Sequence, residues 1–311
     1  MQSVRLGRSG LMISPVVFGG NVFGWTLDEA ASHRMLDRMV DLGIDTIDTA
    51  DVYNRWVEGH SGGESETIIG NWLAANPANR DRIILITKVG GPMPEGGGLS
   101  ARWIEQEVEA SLKRLRTDRI DLYFSHRPDP DTPQDETLAA YDKLISAGKV
   151  RAIGASNFDA GLMQAAETAG PVKYGAQQPE YNLYARDRFE GPLARFCIEN
   201  DIGVIPYFSL AAGFLTGKYR TEADLTGPRG ERSIGKYMND RGKAILAAMD
   251  EVAEETGAAH AEIALAWLMA KPGVTAPIAS ATSDRQLDSL VAATTVELNA
   301  DQMRRLDAAG S

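Results

Sequence analysis

The chain reads as an α/β protein in which parallel strands alternate with helices, and three features predict it. Eight short apolar runs recur along its 311 residues. Amphipathic helical patterns occupy the intervals between them. The length suits a single domain, residues 1–311, built from eight such units. Strand–helix–strand repetition implies parallel pairing with right-handed crossovers. A doubly wound open sheet and a closed (β/α)8 barrel both satisfy that pattern; the count of eight favours the barrel.

Taken in order, Ser3–Leu6 and Leu11–Ile13 flank Gly7-Arg8-Ser9-Gly10, which predicts an N-terminal hairpin. Strands are expected at Val16–Phe18, Ile44–Asp48, Ile83–Lys88, Ile120–Phe124, Ala152–Ala155, Tyr174–Gln177, Val204–Tyr207 and Val274–Ile278. Of the helices, Glu29–Leu42 carries Met35, Met39 and Leu42 on one face. In Ser100–Leu115, Ile104, Val108, Leu112 and Leu115 form one buried stripe, with Ser100 as N-cap. Two segments interrupt the rhythm, Tyr53–Glu66 and Tyr219–Arg241. Insertions of that length are usually binding loops or lids, the alternative being a tolerated surface insertion.

Composition excludes several classes. The net charge of −11 disfavours nucleic acid and anionic membrane, both of which reward a basic surface. A single cysteine, Cys197, permits no intrachain disulfide and fits a reducing compartment. Met1–Leu11 lacks the apolar core of a signal peptide, and no run approaches the roughly 20 apolar residues of a membrane span. The expectation is a soluble, cytoplasmic protein. The histidines at 33, 60, 126 and 260 have no metal-ligand spacing, so no metal is expected.

The chemistry concentrates at strand ends. Asp48 closes the second run, Tyr53 follows it by five residues, Lys88 closes the third, and His126 follows the fourth. Barrel enzymes carry their reactive groups on the C-terminal strand ends, where adjacent units converge. Tyrosine, lysine, aspartate and histidine gathered there make a proton-donating site. A phenol is a useful acid near neutral pH if a neighbouring cation lowers its pKa from about 10. Lys88 would be that cation and Asp48 its ion-pair partner, with Asp51 as a competitor for the same role. Each residue also has a plain reading: Tyr53 as packing, His126 as a satisfied structural side chain. Lys88 is harder to dismiss, because an unpaired buried ammonium is costly.

Those residues and their surroundings resemble the aldo-keto reductase family. The resemblance is carried, in the family's order, by Gly43–Ala50, Leu85–Lys88, Asp121–His126, Gly148–Phe158, Gln178–Leu183, Ile205–Tyr207 and Gly213–Tyr219, and more weakly around Ser280–Leu290. It implies a (β/α)8 barrel closed below by the N-terminal hairpin. It also implies hydride transfer from a reduced nicotinamide to an aldehyde or ketone, reversibly. In that reading Tyr53 is the acid, Lys88 and Asp48 support it, and His126 orients the carbonyl.

The resemblance further places the nicotinamide amide on Ser156, Asn157 and Gln178, with Tyr207 stacked on the ring. Ser209, Leu210, Gly213, Leu215 and Lys218 would follow the pyrophosphate; Ser280, Thr282, Arg285 and Gln286 would meet the adenosine end. Ser156-Asn157 capping the next helix, Tyr207 in the core and a solvated Lys218 are the plain alternatives. No Gly-x-Gly-x-x-Gly fingerprint is present. The Gly213–Tyr219 stretch is one residue short of a P-loop, and Phe158 breaks any nucleophile elbow at Gly154. NADPH is the expected cofactor, with NADH or dual use open. Many NADPH-preferring relatives carry a basic residue early in the last loop, whereas here it reads Ala279-Ser280-Ala281-Thr282, leaving Arg285 to supply the charge.

For a small-molecule carbonyl or alcohol substrate with an apolar or sugar-like body, Trp25 and Trp56 are expected as apolar walls and Arg127 as a contact to polar or anionic groups or an outward salt bridge. Phe208 and Tyr184 are weaker candidates. The competing functions are a nicotinamide-binding regulatory subunit, since potassium-channel β subunits look like this family, and a Schiff-base enzyme using Lys88. The Ser156, Asn157 and Gln178 set opposes the latter.

Overall fold

A computed structural model of the chain describes residues 1–225 and 233–310. Strand β1 (Val4–Arg5) pairs antiparallel with β2 (Met12–Ile13), Val4 opposite Ile13. Eight parallel strands follow: β3 (Val17–Gly19), β4 (Thr46–Asp48), β5 (Ile84–Val89), β6 (Ile120–Ser125), β7 (Val150–Ser156), β8 (Ala176–Gln178), β9 (Gly203–Val204) and β10 (Ile278–Ala279). They pair in the order β10-β3-β4-β5-β6-β7-β8-β9. The two ends of that order meet. The Thr275 N–H donates to the Val204 carbonyl at 2.8 Å and the Ile278 N–H to the Pro206 carbonyl at 2.9 Å. A doubly wound sheet leaves both edges free, so the closure settles the architecture as a (β/α)8 barrel with an N-terminal hairpin.

The last two barrel strands are shorter than their apolar runs predict. Pro206 and Pro277 lie within the runs Val204–Tyr207 and Val274–Ile278. A proline has no N–H to give, so the regular ladder stops there. Their carbonyls still accept, from Ile278 and Val17 respectively.

The strand period sorts side chains into two cores. On β6, Leu122 and Phe124 point into the barrel with Ile86, Ala152 and Ile278, while Tyr123 points outward. Leu6, Leu11 and Ile13 of the hairpin join the inner cluster. The Arg8 N–H donates to the Asp201 carbonyl at 2.6 Å, just before β9. The hairpin therefore seals the N-terminal end of the barrel and leaves the C-terminal end uncovered by it.

Ten α-helices pack outside: α1 (Glu29–Asp41), α2 (Glu64–Ala75), α3 (Ala101–Leu115), α4 (Gln134–Ser146), α5 (Ala160–Ala169), α6 (Pro192–Glu199), α7 (Asp240–Thr256), α8 (His260–Ala270), α9 (Asp284–Ala293) and α10 (Ala300–Ala309), counted among the described residues. The Ser100 hydroxyl caps α3 by accepting from the Trp103 N–H. The first expected insertion is shorter than predicted, because α2 already begins at Glu64, just after Gly62 and Gly63 at φ +106° and +84°. In the second, α7 begins at Asp240, and residues 226–232 lie outside the described residues.

Candidate active site

Asp48 ends β4, and Lys88 sits one residue before the end of the neighbouring β5. Their side chains meet inside the barrel mouth, where Lys88 is fully buried. The Lys88 Nζ donates to Asp48 Oδ2 at 2.7 Å, to the Thr49 carbonyl at 2.8 Å and to the Tyr53 hydroxyl at 2.9 Å. Three N–H bonds and three acceptors satisfy an ammonium completely. The remaining Asp48 oxygen, Oδ1, accepts from Gln178 Nε2 at 3.0 Å at the end of β8. A buried lysine without such partners would cost several kcal/mol. Burial pulls the Lys88 pKa below its ordinary value, and Asp48 pulls it back up.

The Tyr53 hydroxyl accepts from Lys88 and donates to Asp48 Oδ2 at 3.1 Å. Its pKa is opposite in direction to the sequence expectation. Burial, then the Asp48 charge, hold the phenol well above its ordinary value. The correction has a simple cause: the lysine arrives already paired with a carboxylate that faces the same phenol. Tyr53 is thus a protonated phenol throughout the neutral range, a proton donor flanked by an ammonium 2.9 Å away.

His126 follows β6, its backbone N–H donating to the Val89 carbonyl at 2.8 Å. Its ring stands edge-on to the Tyr53 ring, centroids 6.1 Å apart. Burial, then the charges of Lys88 and Arg127, push its pKa well below the ordinary histidine value. The imidazole is neutral near pH 7 and can donate one N–H toward an oxygen held at Tyr53.

A second band of polar groups adjoins this one. The Ser156 hydroxyl donates to the Gln178 carbonyl at 2.8 Å. Asn157, at φ +64°, donates through Nδ2 to the His126 carbonyl at 3.1 Å and accepts on Oδ1 from the Tyr207 hydroxyl at 2.7 Å. Helix α5 is capped by Asp159, not by the Ser156-Asn157 pair. Asn157 is exposed, while Tyr207 is half-buried and packs against the inner cluster of the barrel.

Beyond Tyr207, Phe208, Ala211, Ala212 and Gly213 all take positive φ, a concentration of left-handed backbone found mainly at functional loops. On this loop the Ser209 hydroxyl turns back to the Pro206 carbonyl at 3.1 Å, Leu210 is half-buried and Leu215 is fully buried, so the latter offers only backbone. Lys218 is exposed, its ammonium 4.8 Å from the Tyr219 ring. After β10, the Ser280 hydroxyl donates to the Gly19 carbonyl at 2.7 Å, and the Thr282 N–H and hydroxyl donate to Gln286 Oε1 at 2.8 and 3.0 Å. Arg285 is exposed on the first turn of α9.

The pocket above Tyr53 holds about 500 Å³ and is lined by Val52, Tyr53, Arg55, Trp56, Pro92, His126 and Arg127. Trp25 stands edge-on to Trp56 with centroids 5.7 Å apart, and Trp56 is 6.1 Å from the Tyr53 ring. Arg127 is exposed and forms no ion pair among the described residues. Phe208 is 49% exposed beside Tyr207. Tyr184 is drawn elsewhere, its hydroxyl accepting from Asn239 Nδ2 at 2.7 Å and its ring packed on Tyr237.

Several contributors escaped the sequence reading. Thr49 acts through its carbonyl, which any residue type supplies. Arg55, Val52 and Pro92 lie on loops whose path the sequence does not set. Asp51, the expected rival of Asp48, makes no side-chain hydrogen bond to Lys88, although its charge acts on Lys88 and Tyr53: its Oδ1 accepts from the Val52 N–H at 2.7 Å and its Oδ2 is buried without a partner. Burial, then the nearby Glu66 and Glu107 charges, raise its pKa well above the ordinary carboxylate value.

A carboxyl whose folded pKa is raised contributes most stability below its unfolded pKa near 3.9 and loses that contribution as pH rises through the folded value. Asp51→Asn is therefore expected to stabilise the fold by on the order of 1 kcal/mol at neutral pH, with little gain at pH 4. Urea denaturation across that range checks it; an equal loss of stability at both pH values would contradict it.

Comparison with known proteins adds to this geometry. Residues 15–311 match the family model described as the Aldo/keto reductase family. The uncharacterized oxidoreductase YrpG of Bacillus subtilis is 34% identical, covering 99% of this chain and 95% of its own. A probable voltage-gated potassium channel subunit beta of Arabidopsis thaliana is 32% identical over 92% of this chain and 89% of its own. The versiconal hemiacetal acetate reductase of Aspergillus parasiticus is 30% identical over 99% and 96%.

Proposed function

The chain belongs to the aldo/keto reductase family, a class of NAD(P)H-dependent oxidoreductases, and we propose that it reduces an aldehyde or ketone to the alcohol, reversibly, with Tyr53 as general acid and NADPH as cofactor. The observation that carries this reading is the buried Lys88 ammonium, 2.9 Å from the Tyr53 hydroxyl and 2.7 Å from Asp48 at the floor of a pocket beside His126.

The chain's own residues suit a bound dinucleotide. Ser209–Lys218 contains no carboxylate, and Gly213, at φ +104°, leaves room where a side chain would stand. Lys218 and Arg285 have no carboxylate partner among the described residues, so both charges are available to phosphates. Ser156, Asn157, Gln178 and Tyr207 would hold the nicotinamide end; Ser209, Leu210, Gly213, Leu215 and Lys218 the pyrophosphate; Ser280, Thr282, Arg285 and Gln286 the adenosine end. When bound, the reduced nicotinamide would supply a hydride, a proton with two electrons, to the carbonyl carbon.

The remaining work falls to side chains. Tyr53 and the neutral His126 donate hydrogen bonds to the carbonyl oxygen and fix its place. As charge gathers on that oxygen, the phenol proton passes to it, and the phenolate left behind faces the Lys88 ammonium, which stabilises it. Asp48 holds Lys88 in position and Gln178 holds Asp48. Trp25, Trp56 and Arg127 would shape the mouth.

The raised Tyr53 pKa and the lowered His126 pKa set a pH signature. Reduction needs the phenol protonated, so its kcat is expected to stay level between about pH 6 and 9, without the inflection near 6.5 that a titrating histidine gives. Alcohol oxidation needs the phenolate and is expected to rise with pH over the same range. A histidine-like inflection in kcat for reduction would contradict these assignments.

A second reading, a nicotinamide-binding regulatory subunit, is favoured by identities of 31–33% to three probable or putative potassium channel β subunits. Turnover with NADPH and NADH against a panel of aldehydes and ketones separates the two. Catalytic turnover supports the reductase, and tight cofactor binding without turnover supports the regulatory subunit.

A further inference from the structure

The charge around the pocket runs against the charge of the chain. Acidic residues outnumber basic ones, 43 to 32, yet the seven residues lining the pocket above Tyr53 include two arginines and no carboxylate. A neighbouring cavity of similar size, about 470 Å³, is lined by Asp159, Glu180, Asp187 and Glu190 against one arginine. Beneath the pocket Lys88 is paired with Asp48, and His126, in its wall, is neutral. The charged side chains of the lining itself are Arg55 and Arg127.

Neither guanidinium has an acidic partner among the described residues. Arg55 donates through Nη1 to the Pro92 carbonyl, bridging the loops that follow β4 and β5. That bond fixes the group without neutralising it. Arg127 is next to His126 and lines the same pocket. Burial and the Lys88 charge lower the His126 pKa first and Arg127 adds to them, while for Tyr207, whose pKa burial and Glu180 raise, Arg127 is a small opposing charge. Beyond Tyr207, Glu180 and Arg188 act on its phenol in opposite directions. Trp56 supplies an aromatic wall beside the Tyr53 ring.

We infer that the preferred substrates are carbonyl compounds bearing an anionic group, with Arg127 and Arg55 as the specificity-determining residues that receive the anion while Tyr53 and His126 receive the carbonyl. This rests on the reductase reading proposed above. Guanidinium is suited to the task, because its fork donates two parallel bonds to a carboxylate or a phosphate. The site is open to solvent, so the preference is moderate and sensitive to salt.

The test compares 4-carboxybenzaldehyde with 4-formylbenzamide, nearly equal in shape and differing in charge, using NADPH and the full-length enzyme. A second pair, glyceraldehyde 3-phosphate and glyceraldehyde, separates phosphate from carboxylate recognition. The anionic member of at least one pair is expected to be favoured about tenfold in kcat/KM, through KM, with the preference shrinking as salt is raised from low to about 0.5 M. Arg127→Met and Arg55→Met should each reduce the preference and their combination should abolish it. Arg127→Lys should restore part of it, and Arg304→Met, on a distant exposed helix face, should leave it intact. Equal turnover within both pairs, or a preference that survives the double replacement, would overturn this inference alone. No turnover of any of the four aldehydes would overturn the reductase reading and this inference with it.

Discussion

Tyr53→Phe is expected to lower kcat for carbonyl reduction by roughly 10²–10⁴ while cofactor affinity stays within a few-fold. The substitution removes one oxygen and leaves the ring, so its packing against Trp56 and His126 persists. What disappears is the group proposed to give the proton to the developing alkoxide. His126 remains, but a neutral imidazole with a strongly lowered pKa is a poor substitute acid. Because the loss arises in the chemical step, kcat and kcat/KM should fall together. Stability should fall little, since Lys88 keeps two of its three acceptors, Asp48 and the Thr49 carbonyl. Nicotinamide fluorescence titration and steady-state kinetics check both halves. A variant retaining more than a tenth of wild-type kcat would remove Tyr53 from the role assigned to it.

Lys88→Met is expected to act on fold and activity at once. It leaves Asp48 buried with hydrogen bonds from Gln178 and Tyr53 but no positive charge, and breaking a buried pair from one side typically costs about 3–5 kcal/mol. The same change removes the ammonium that stabilises the phenolate, so kcat should fall by at least about 10². Adding Asp48→Asn supplies the distinguishing control. The double variant removes both charges and should recover part of the lost stability, yet none of the activity. Additive losses of stability in the two single variants would mean that the pair is not coupled as its 2.7 Å contact implies.

The sequence exposed the parts of this site that depend on spacing. Asp48, Lys88 and His126 fall one βα unit apart at strand ends, and parallel register alone brings them together; Lys88 lies opposite Phe124, two residues before His126. Strand period likewise separates Phe124, inside the barrel, from Tyr123, outside it. Properties that depend on burial were not legible. The direction of the Tyr53 pKa follows from how deeply the phenol sits and from which face the Asp48 carboxylate turns toward it. The two prolines shorten β9 and β10 because they lack donors, which an apolar run conceals. Backbone contributors such as the Thr49 carbonyl leave no mark in residue type, and that Asp48 and not Asp51 forms the hydrogen bond to Lys88 is a matter of side-chain direction.

The most direct test of the account is isotope transfer. Wild-type protein is incubated with NADPH carrying deuterium at the transferable position of the nicotinamide and with an aldehyde, and the product is read by mass spectrometry and NMR. The account predicts an alcohol with one deuterium on its carbinol carbon and an exchangeable proton on its oxygen, formed at a rate that collapses in Tyr53→Phe although that variant still binds NADPH. Tight NADPH binding with no deuterated alcohol from any aldehyde or ketone would contradict it and leave the regulatory reading in its place.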